Sequence, residues 1–351
     1  MIKNKEIAEI LNISPSAVSL ALNNRHGVSE ETRRRVIALR SGSMAAEFND
    51  LQLQNISRGL FLFIVLKKHG NVITNTPFFM SLSETLHQQA AVEGYGLQIS
   101  YFQPGTDLQK YLYSLNVNQY EGLLVLGTEA EVADIRMIAA LNKPTVILDS
   151  WFDSEKMDCV LMDNESGVNQ AVHHAYSMGH RRIGFLNSYV NVNNFKERFK
   201  AYRSTMESLG LAFDEKYVYS IHSTLDGACA DMCAILQKNP ELPTVFVCAN
   251  DLVAMGAINA MSKFGLNVPQ DISVIGFDDM PACEMISPPL TTIKVMKVLM
   301  GSKAMELLHQ RILEGTHAPA AEYCAVFRTA ISTDIKIRKS VASPPRSKRG
   351  E

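Results

Sequence analysis

From residue 59 onward, short apolar runs alternate with stretches in which apolar residues recur every three or four positions. That is the pattern of strands interleaved with helices. Runs at 60–66, 97–101, 122–126 and 144–148 predict strands, and the stretches 78–93, 107–115 and 130–141 predict helices between them. A second series repeats the plan, with strands at 182–186, 218–221, 244–248 and 272–276 and helices at 195–209, 225–237 and 251–263. Alternation of this kind builds parallel sheets covered by helices. The body, 59–335, is therefore expected to be α/β: two doubly wound parallel-sheet subdomains, about 59–160 and 163–285. Ligands in such sheets bind outside the carboxyl ends of the strands.

The first 45 residues carry a different, purely helical pattern. Asn4 can cap a helix with Ile7, Ala8 and Leu11 on its inner face, and Ser14-Pro15 restarts the chain as a second helix over 15–23. Ala17, Val18, Ala21 and Leu22 form the inner stripe of that helix, which turns Ser16, Ser19, Leu20 and Asn23 outward. Ser29 caps a third helix, acidic in its first turn (Glu30, Glu31) and basic beyond it (Arg33, Arg34, Arg35), an order that suits the helix dipole. A three-helix bundle with a charged face satisfies this pattern, and so does a helix-turn-helix, whose second helix enters the major groove of DNA. Residues 46–58 read as a linker or hinge.

Composition narrows the choice. The 351 residues suit two to three domains, and no apolar run approaches the roughly 20 residues of a membrane-spanning helix. No apolar export signal follows Met1, so a cytoplasmic protein is expected, and six cysteines without Cys-x-x-Cys spacing suit a reducing compartment. The net charge of −2 conceals a division: residues 1–45 carry +3 and residues 336–351 carry +5, leaving −10 on residues 46–335. A basic module on an acidic body directs attention to DNA at the N-terminus. His173, His174 and His180 have no carboxylate or thiol at metal-ligand spacing, so no metal is expected. No glycine-rich turn follows a strand to cradle phosphate, so neither a cofactor nor an enzyme is expected.

The stretch Ile7-Ala8-Glu9, Ile13-Ser-Pro-Ser-Ala-Val-Ser19, Leu22-Asn23, Val28-Ser29 and Thr32-Arg33 resembles the DNA-binding domain of the lactose-repressor (LacI) family. Further motifs in family order extend the resemblance over the body: Asn75-Thr-Pro-Phe-Phe79, Asp163-Asn-Glu-Ser-Gly167, Gly179-His-Arg-Arg-Ile-Gly184, Ala249-Asn-Asp-Leu-Val-Ala-Met-Gly256, Ile275-Gly-Phe-Asp-Asp279 and Pro288-Pro-Leu-Thr-Thr-Ile293. The resemblance implies an N-terminal three-helix helix-turn-helix domain (1–45) and a periplasmic-binding-protein-like effector domain with three crossovers. It further implies a homodimer on double-stranded operator DNA and a small-molecule effector, usually a carbohydrate. On the family pattern Pro15, Ser16 and Leu20 read bases, while Ser14, Ser19, Asn23, Ser29 and Thr32 contact phosphates. Phosphate contacts position the protein and groove contacts specify sequence. The family's Tyr-x-Pro-Asn element is missing after the third helix, and Leu51 or Leu53 is the candidate hinge wedge for the minor groove.

In the body, Asp149, Asn250 and Asp278 stand at strand ends and Arg198 opens a helix, so the four are expected to converge on one cleft. Carboxylates accept from sugar hydroxyls, Arg donates in a fork and Asn does both. Phe78, Phe79 and Trp151 are the aromatic candidates for covering a sugar's C–H face. Arg198-Phe-Lys-Ala201 departs from the family's Arg-x-x-Gly. The Ser/Pro/Lys/Arg-rich tail, 336–351, is expected to be disordered and offers no helix for tetramers. The function expected is a sequence-specific transcriptional regulator, a repressor in most of the family. The rival reading is a solute-binding sugar receptor with no DNA function.

Overall fold

The structure, a computed structural model, describes residues 14–22, 27–28, 32–33, 36, 58–70, 72–73, 77–315 and 325–344. The chain divides into two units, Met1–Gly59 with Ala91–Gly96, and Leu60–Ala90 with Leu97–Glu351.

In the first unit, helix α1 (Pro15–Leu22) starts as its sequence dictates. Ser14 Oγ accepts from the Ala17 N–H at 3.2 Å, and Pro15 occupies the first helical position, where its missing N–H costs nothing. Val18 and Ala21 are buried while Ser16 and Ser19 are exposed, so the helix shows the outward polar face expected of it. Residues 32, 33 and 36 are also helical, with Val36 buried. The first predicted helix, Asn23, Ser29 and the hinge candidates Leu51 and Leu53 lie outside the described residues.

The second unit contains two six-stranded sheets. The first lobe runs β1 (Leu60–Leu66), α2 (Pro77–Val92), β2 (Gly96–Phe102), α3 (Leu108–Ser114), β3 (Gly122–Leu126), α4 (Val132–Ala139), β4 (Thr145–Leu148) and β5 (Asp158–Met162). The second runs α5 (Asn164–Ser177), β6 (Ile183–Ser188), α6 (Asn193–Ser208), β7 (Val218–Ile221), α7 (Leu225–Leu236), β8 (Val245–Cys248), α8 (Asp251–Lys263), β9 (Ser273–Asp278), α9 (Ala282–Met285) and β10 (Thr291–Val295). The chain then returns to the first lobe as α10 (Lys297–Gly315), which packs on β3, β4 and β5, and as β11 (Arg328–Ile331), before ending in the second lobe as β12 (Thr333–Lys336). Strand order is β11-β5-β4-β3-β1-β2 in one sheet and β12-β10-β9-β8-β6-β7 in the other. The first five strands of each lobe share one winding, with a switch point between the first and third, where loops depart to opposite faces and leave a crevice. The inner strands are buried along their length, as sheets covered on both faces require. Gly256 lets α8 lie close to α7, since a Cβ there would stand 2.6 Å from the Leu225 carbonyl oxygen.

The lobe boundaries need correction: residues 291–295 and 333–336 belong to the second lobe, and 297–331 return to the first. The second sheet is also not wholly parallel, because β12 pairs antiparallel with β10. The cause is geometric. Only Ser332 separates β11 from β12. A strand leaving one sheet at its carboxyl edge enters the facing sheet at the same edge, and so must run backwards. The disordered tail is contradicted over 336–344. Ser340 is fully buried, accepts from the Thr291 N–H at 2.8 Å and donates to the Val274 carbonyl at 2.6 Å. His180 bonds the Ala342 carbonyl at 2.9 Å, and Arg338 pairs with Asp279 at 2.7 Å. Hydrogen bonds of Ser340 and Ala342 with Ser273, Val274 and Thr291 hold this segment, which composition alone does not reveal.

Candidate functional site

The carboxyl ends of both sheets face a cavity of about 60 Å³, space for a few water molecules. Asp149, Arg198, Asn250 and Asp278 line it together with Phe78 and Phe79, so six of the seven expected residues meet there. Three arrive at strand ends, since β4 ends immediately before Asp149, β8 is followed by Ala249 and Asn250, and β9 ends on Asp278, while Arg198 comes from the second turn of α6.

Arg198 is the central side chain. It is 2% exposed and donates from Nε to Asn164 Oδ1 at 2.8 Å, while Nη1 donates to the Ala249 carbonyl. Nη2 pairs with Asp278 Oδ1 at 3.4 Å, and the guanidinium lies 3.6 Å above the Phe277 ring. Burial lowers its pKa, against the attraction of Asp278 and Asp149. A planar, permanently charged fork is suited to this setting.

Asp149 is 3% exposed, accepts from Thr128 Oγ1 at 2.5 Å through one oxygen, and has no hydrogen-bond partner for Oδ1. Burial pushes its carboxyl up to about 6, against the pull of Thr128, Arg198 and Asn194. Asp278 is raised as well, by burial and against the pull of Arg198 and Lys297. Both aspartates adopt positive φ, +66° and +115°, a conformation that L residues seldom hold without a local purpose. Asn250 caps α8, its Oδ1 accepting from the Val253 N–H at 2.8 Å, which leaves the carboxamide nitrogen for a ligand. The cap and the pocket role therefore coexist in one side chain.

Trp151 does not line this cavity, and its expected place in it is corrected. The chain turns away from the sheet after β4, and the indole lies under the Arg328 guanidinium, which is 3.2 Å from the ring centroid, while its N–H donates to Glu197. Glu197 in turn accepts from Asn164 at 2.7 Å, so the tryptophan belongs to a chain of polar contacts that joins the two lobes beside the cleft.

Several contributors were not singled out from the sequence. Thr128, Asn194 and Ser223 add polar groups and Phe195, Met162 and Leu126 add apolar wall. Thr128 and Ser223 each stand two residues beyond a strand, the positional signal that could have found them. Glu129 is the most consequential of these. It is 4% exposed and accepts four backbone N–H groups: His69 at 3.0 Å, and Gly70, Val72 and Ile73 at 2.9 Å each. Burial acts to raise its pKa, but the four N–H groups outweigh it and hold the carboxylate below its ordinary range. Val72 and Ile73 line the cavity, so this carboxylate fastens the loop after β1 to the loop after β3 at the switch point. Asp251 plays a comparable part in the second lobe, where it accepts from Thr292 Oγ1 at 2.5 Å and from the Met280 N–H at 2.8 Å. Among the described residues no group of His, Cys, Asp and Glu is arranged to hold a metal ion, and no helix is long and apolar enough to cross a membrane.

Two sheets with matched windings, three crossovers and a polar cavity at both switch points define a two-lobed, periplasmic-binding-protein-like receptor domain for a small molecule. Residues 172–341 match the family model described as a periplasmic binding protein-like domain. The ribose operon repressor of Haemophilus influenzae is 30% identical over 314 residues, which span 88% of this chain and 91% of that protein. The transcriptional regulator MalR of Streptomyces coelicolor is 29% identical over 97% of this chain and 96% of its own. Among solved structures, a CelR–cellobiose complex superposes with a TM-score of 0.71 at 22% identity, covering 97% of this chain and 100% of that one. The lac repressor dimer bound to operator and an anti-inducer gives 0.67 at 21%, covering 97% and 99%. The chain belongs to the LacI family of transcriptional regulators. It is a DNA-binding regulator under the control of a small effector.

Proposed function

We propose that the protein is a cytoplasmic repressor. A homodimer presents helix α1 to operator DNA, and a sugar-sized polyol in the cleft sets its affinity for that DNA. Residues 1–45 form the DNA reader, 46–58 the hinge, and the remainder through residue 344 the receptor. Ser14, Pro15, Ser16, Ser19, Leu20, Asn23, Ser29 and Thr32 contact DNA, with Leu51 or Leu53 as the minor-groove wedge. The exposed Ser16 and Ser19 beside the buried Val18 and Ala21 support this assignment for α1.

The observation that carries the effector reading is the cavity itself: two carboxylates, a guanidinium and a carboxamide nitrogen converge on an aromatic wall. Asp149 Oδ1 stands without a donor in this cavity, the deficiency that a sugar hydroxyl would fill. A relative named for the ribose operon, and neighbours solved with ribose, glucose, cellobiose or sucrose, support a carbohydrate. Because the cavity holds only about 60 Å³, ligand entry requires the lobes to part. The crossovers are short enough to act as hinges for that movement.

The test is reciprocal titration. Operator DNA and effector bound to one two-state molecule must alter each other's affinity by the same factor. A fragment beginning at residue 59 is expected to keep the sugar response, read by thermal shift against a panel of pentoses and hexoses, and to lose specific DNA binding. Retained specific DNA binding, or equal sugar affinity of the full protein with and without operator, overturns the reading.

A further inference from the structure

A second cavity, of about 500 Å³, lies on the outer side of α6 and is separate from the effector cleft except for Phe195, which lines both. Lys196, Lys200 and Arg203 stand at i, i+4 and i+7 and so share one face of the helix along this groove. All three are exposed and none makes an ion pair among the described residues, while the Arg203 guanidinium also lies 4.9 Å from the centroid of the Phe213 ring. Among the described residues, Glu207, one turn beyond Arg203, is the only opposing charge lining the groove. Such a concentration of cations without acidic partners is unexpected within residues 46–335, whose net charge is −10. At the other wall, Asn187 Oδ1 is shielded from solvent and has no hydrogen-bond partner, and Tyr189 leaves 56% of its surface exposed.

Three cations with no acidic partner among the described residues select an anion, and their spread along two turns of helix suits the several oxygens of a phosphate better than a single carboxylate. The unsatisfied oxygen of Asn187 calls for a donor on the same ligand, which a hydroxyl supplies. An exposed ring beside it is the usual partner for the carbon face of a polyol. The volume falls within the range of small-molecule pockets. We propose that this groove is a second ligand site, selective for a phosphate monoester of a sugar. The phosphate lies against Lys196, Lys200 and Arg203, and a hydroxyl donates to Asn187 Oδ1.

Isothermal titration of the full-length protein with glucose 6-phosphate tests this, with glucose and inorganic phosphate as separate arms. Saturable binding of the ester is expected, weakened about tenfold or more by Lys196→Glu with Lys200→Glu, and weakened by added salt as surface charge pairing requires. It should survive Asp149→Asn in the effector cleft. The milder pair Lys200→Gln and Arg203→Gln guards against a folding defect, and unchanged thermal unfolding shows that each variant is intact. Asn187→Leu should weaken the ester and leave inorganic phosphate unaffected. No saturable binding, equal affinity for inorganic phosphate, or binding that is lost in the cleft variant and kept in the groove variants overturns the proposal.

Discussion

Replacing Glu129 with Gln tests whether one carboxylate organises the first lobe's half of the effector site. The substitution keeps size and removes charge. One oxygen still accepts two of the four N–H groups from residues 69–73, while the new amide NH₂ faces the other two as donor against donor. Each hydrogen bond to a charged acceptor contributes about 1.5–3 kcal/mol, so losing two sets an upper limit of about 3–6 kcal/mol. Residues 67–70 are partly exposed, so freed N–H groups can turn to water, and about 2–3 kcal/mol is the expected net loss. Amide hydrogen exchange should show residues 69–73 losing protection by roughly 30- to 150-fold, the same energy expressed as an equilibrium constant. The melting temperature should fall by about 4–6 °C, at about 2 °C per kcal/mol for a unit of this size. The pH dependence carries a second signature. The folded carboxyl is held below its ordinary range, so its contribution is complete above that range and is lost as acid passes down through the folded pKa. The Gln variant should lack that acid-side slope. Wild-type protection at residues 69–73 together with a wild-type acid profile would refute the reasoning.

Other residues give further expectations. Asp149 is raised from 3.8 to about 6, so the folded state holds a proton that the unfolded chain releases, and stability falls as pH rises through that window. Asp149→Asn should therefore stabilise the protein above pH 6 by up to about 3 kcal/mol, with little effect near pH 4, while abolishing the effector response; denaturant unfolding across this range checks it. Arg198→Met leaves the largely buried Asp278 beside an apolar side chain and should cost about 3–5 kcal/mol at pH 8 and less at pH 5, the direction in which the raised carboxyl of Asp278 gains its proton. Equal losses at both pH values would remove the ion pair from the account. Truncation after residue 344 should leave thermal unfolding unchanged, whereas truncation after residue 336 removes Arg338, Ser340 and Ala342 from the sheet edge and should yield a protein that melts lower or fails to fold.

Helix and strand periodicity was enough to place the paired windings, because a buried parallel strand and an amphipathic helix each satisfy their own backbone locally and leave their period in the chain. Predicted strands at 60–66, 122–126 and 218–221 coincide with β1, β3 and β7. The same logic placed Asp149, Arg198, Asn250 and Asp278 in one cleft, since strand ends in a doubly wound sheet have only one place to meet. The reading failed where a residue's fate depends on another part of the chain. Trp151 follows a strand as Asp149 does, yet Glu197 and Arg328, remote in sequence, draw its ring out of the cavity. Glu129 is an ordinary acidic loop residue until the switch point brings four N–H groups to it.

The sequence by itself determined the two-lobed α/β body, the polar outer face of α1 and the identity of the cleft's charged groups, because these follow from local periodicity and from where strands end. Only the tertiary structure decided the rest. The antiparallel β12, the ordered segment through residue 344 and the loop clamp of Glu129 all arise where segments distant in sequence must close a sheet edge or satisfy each other's buried polar groups.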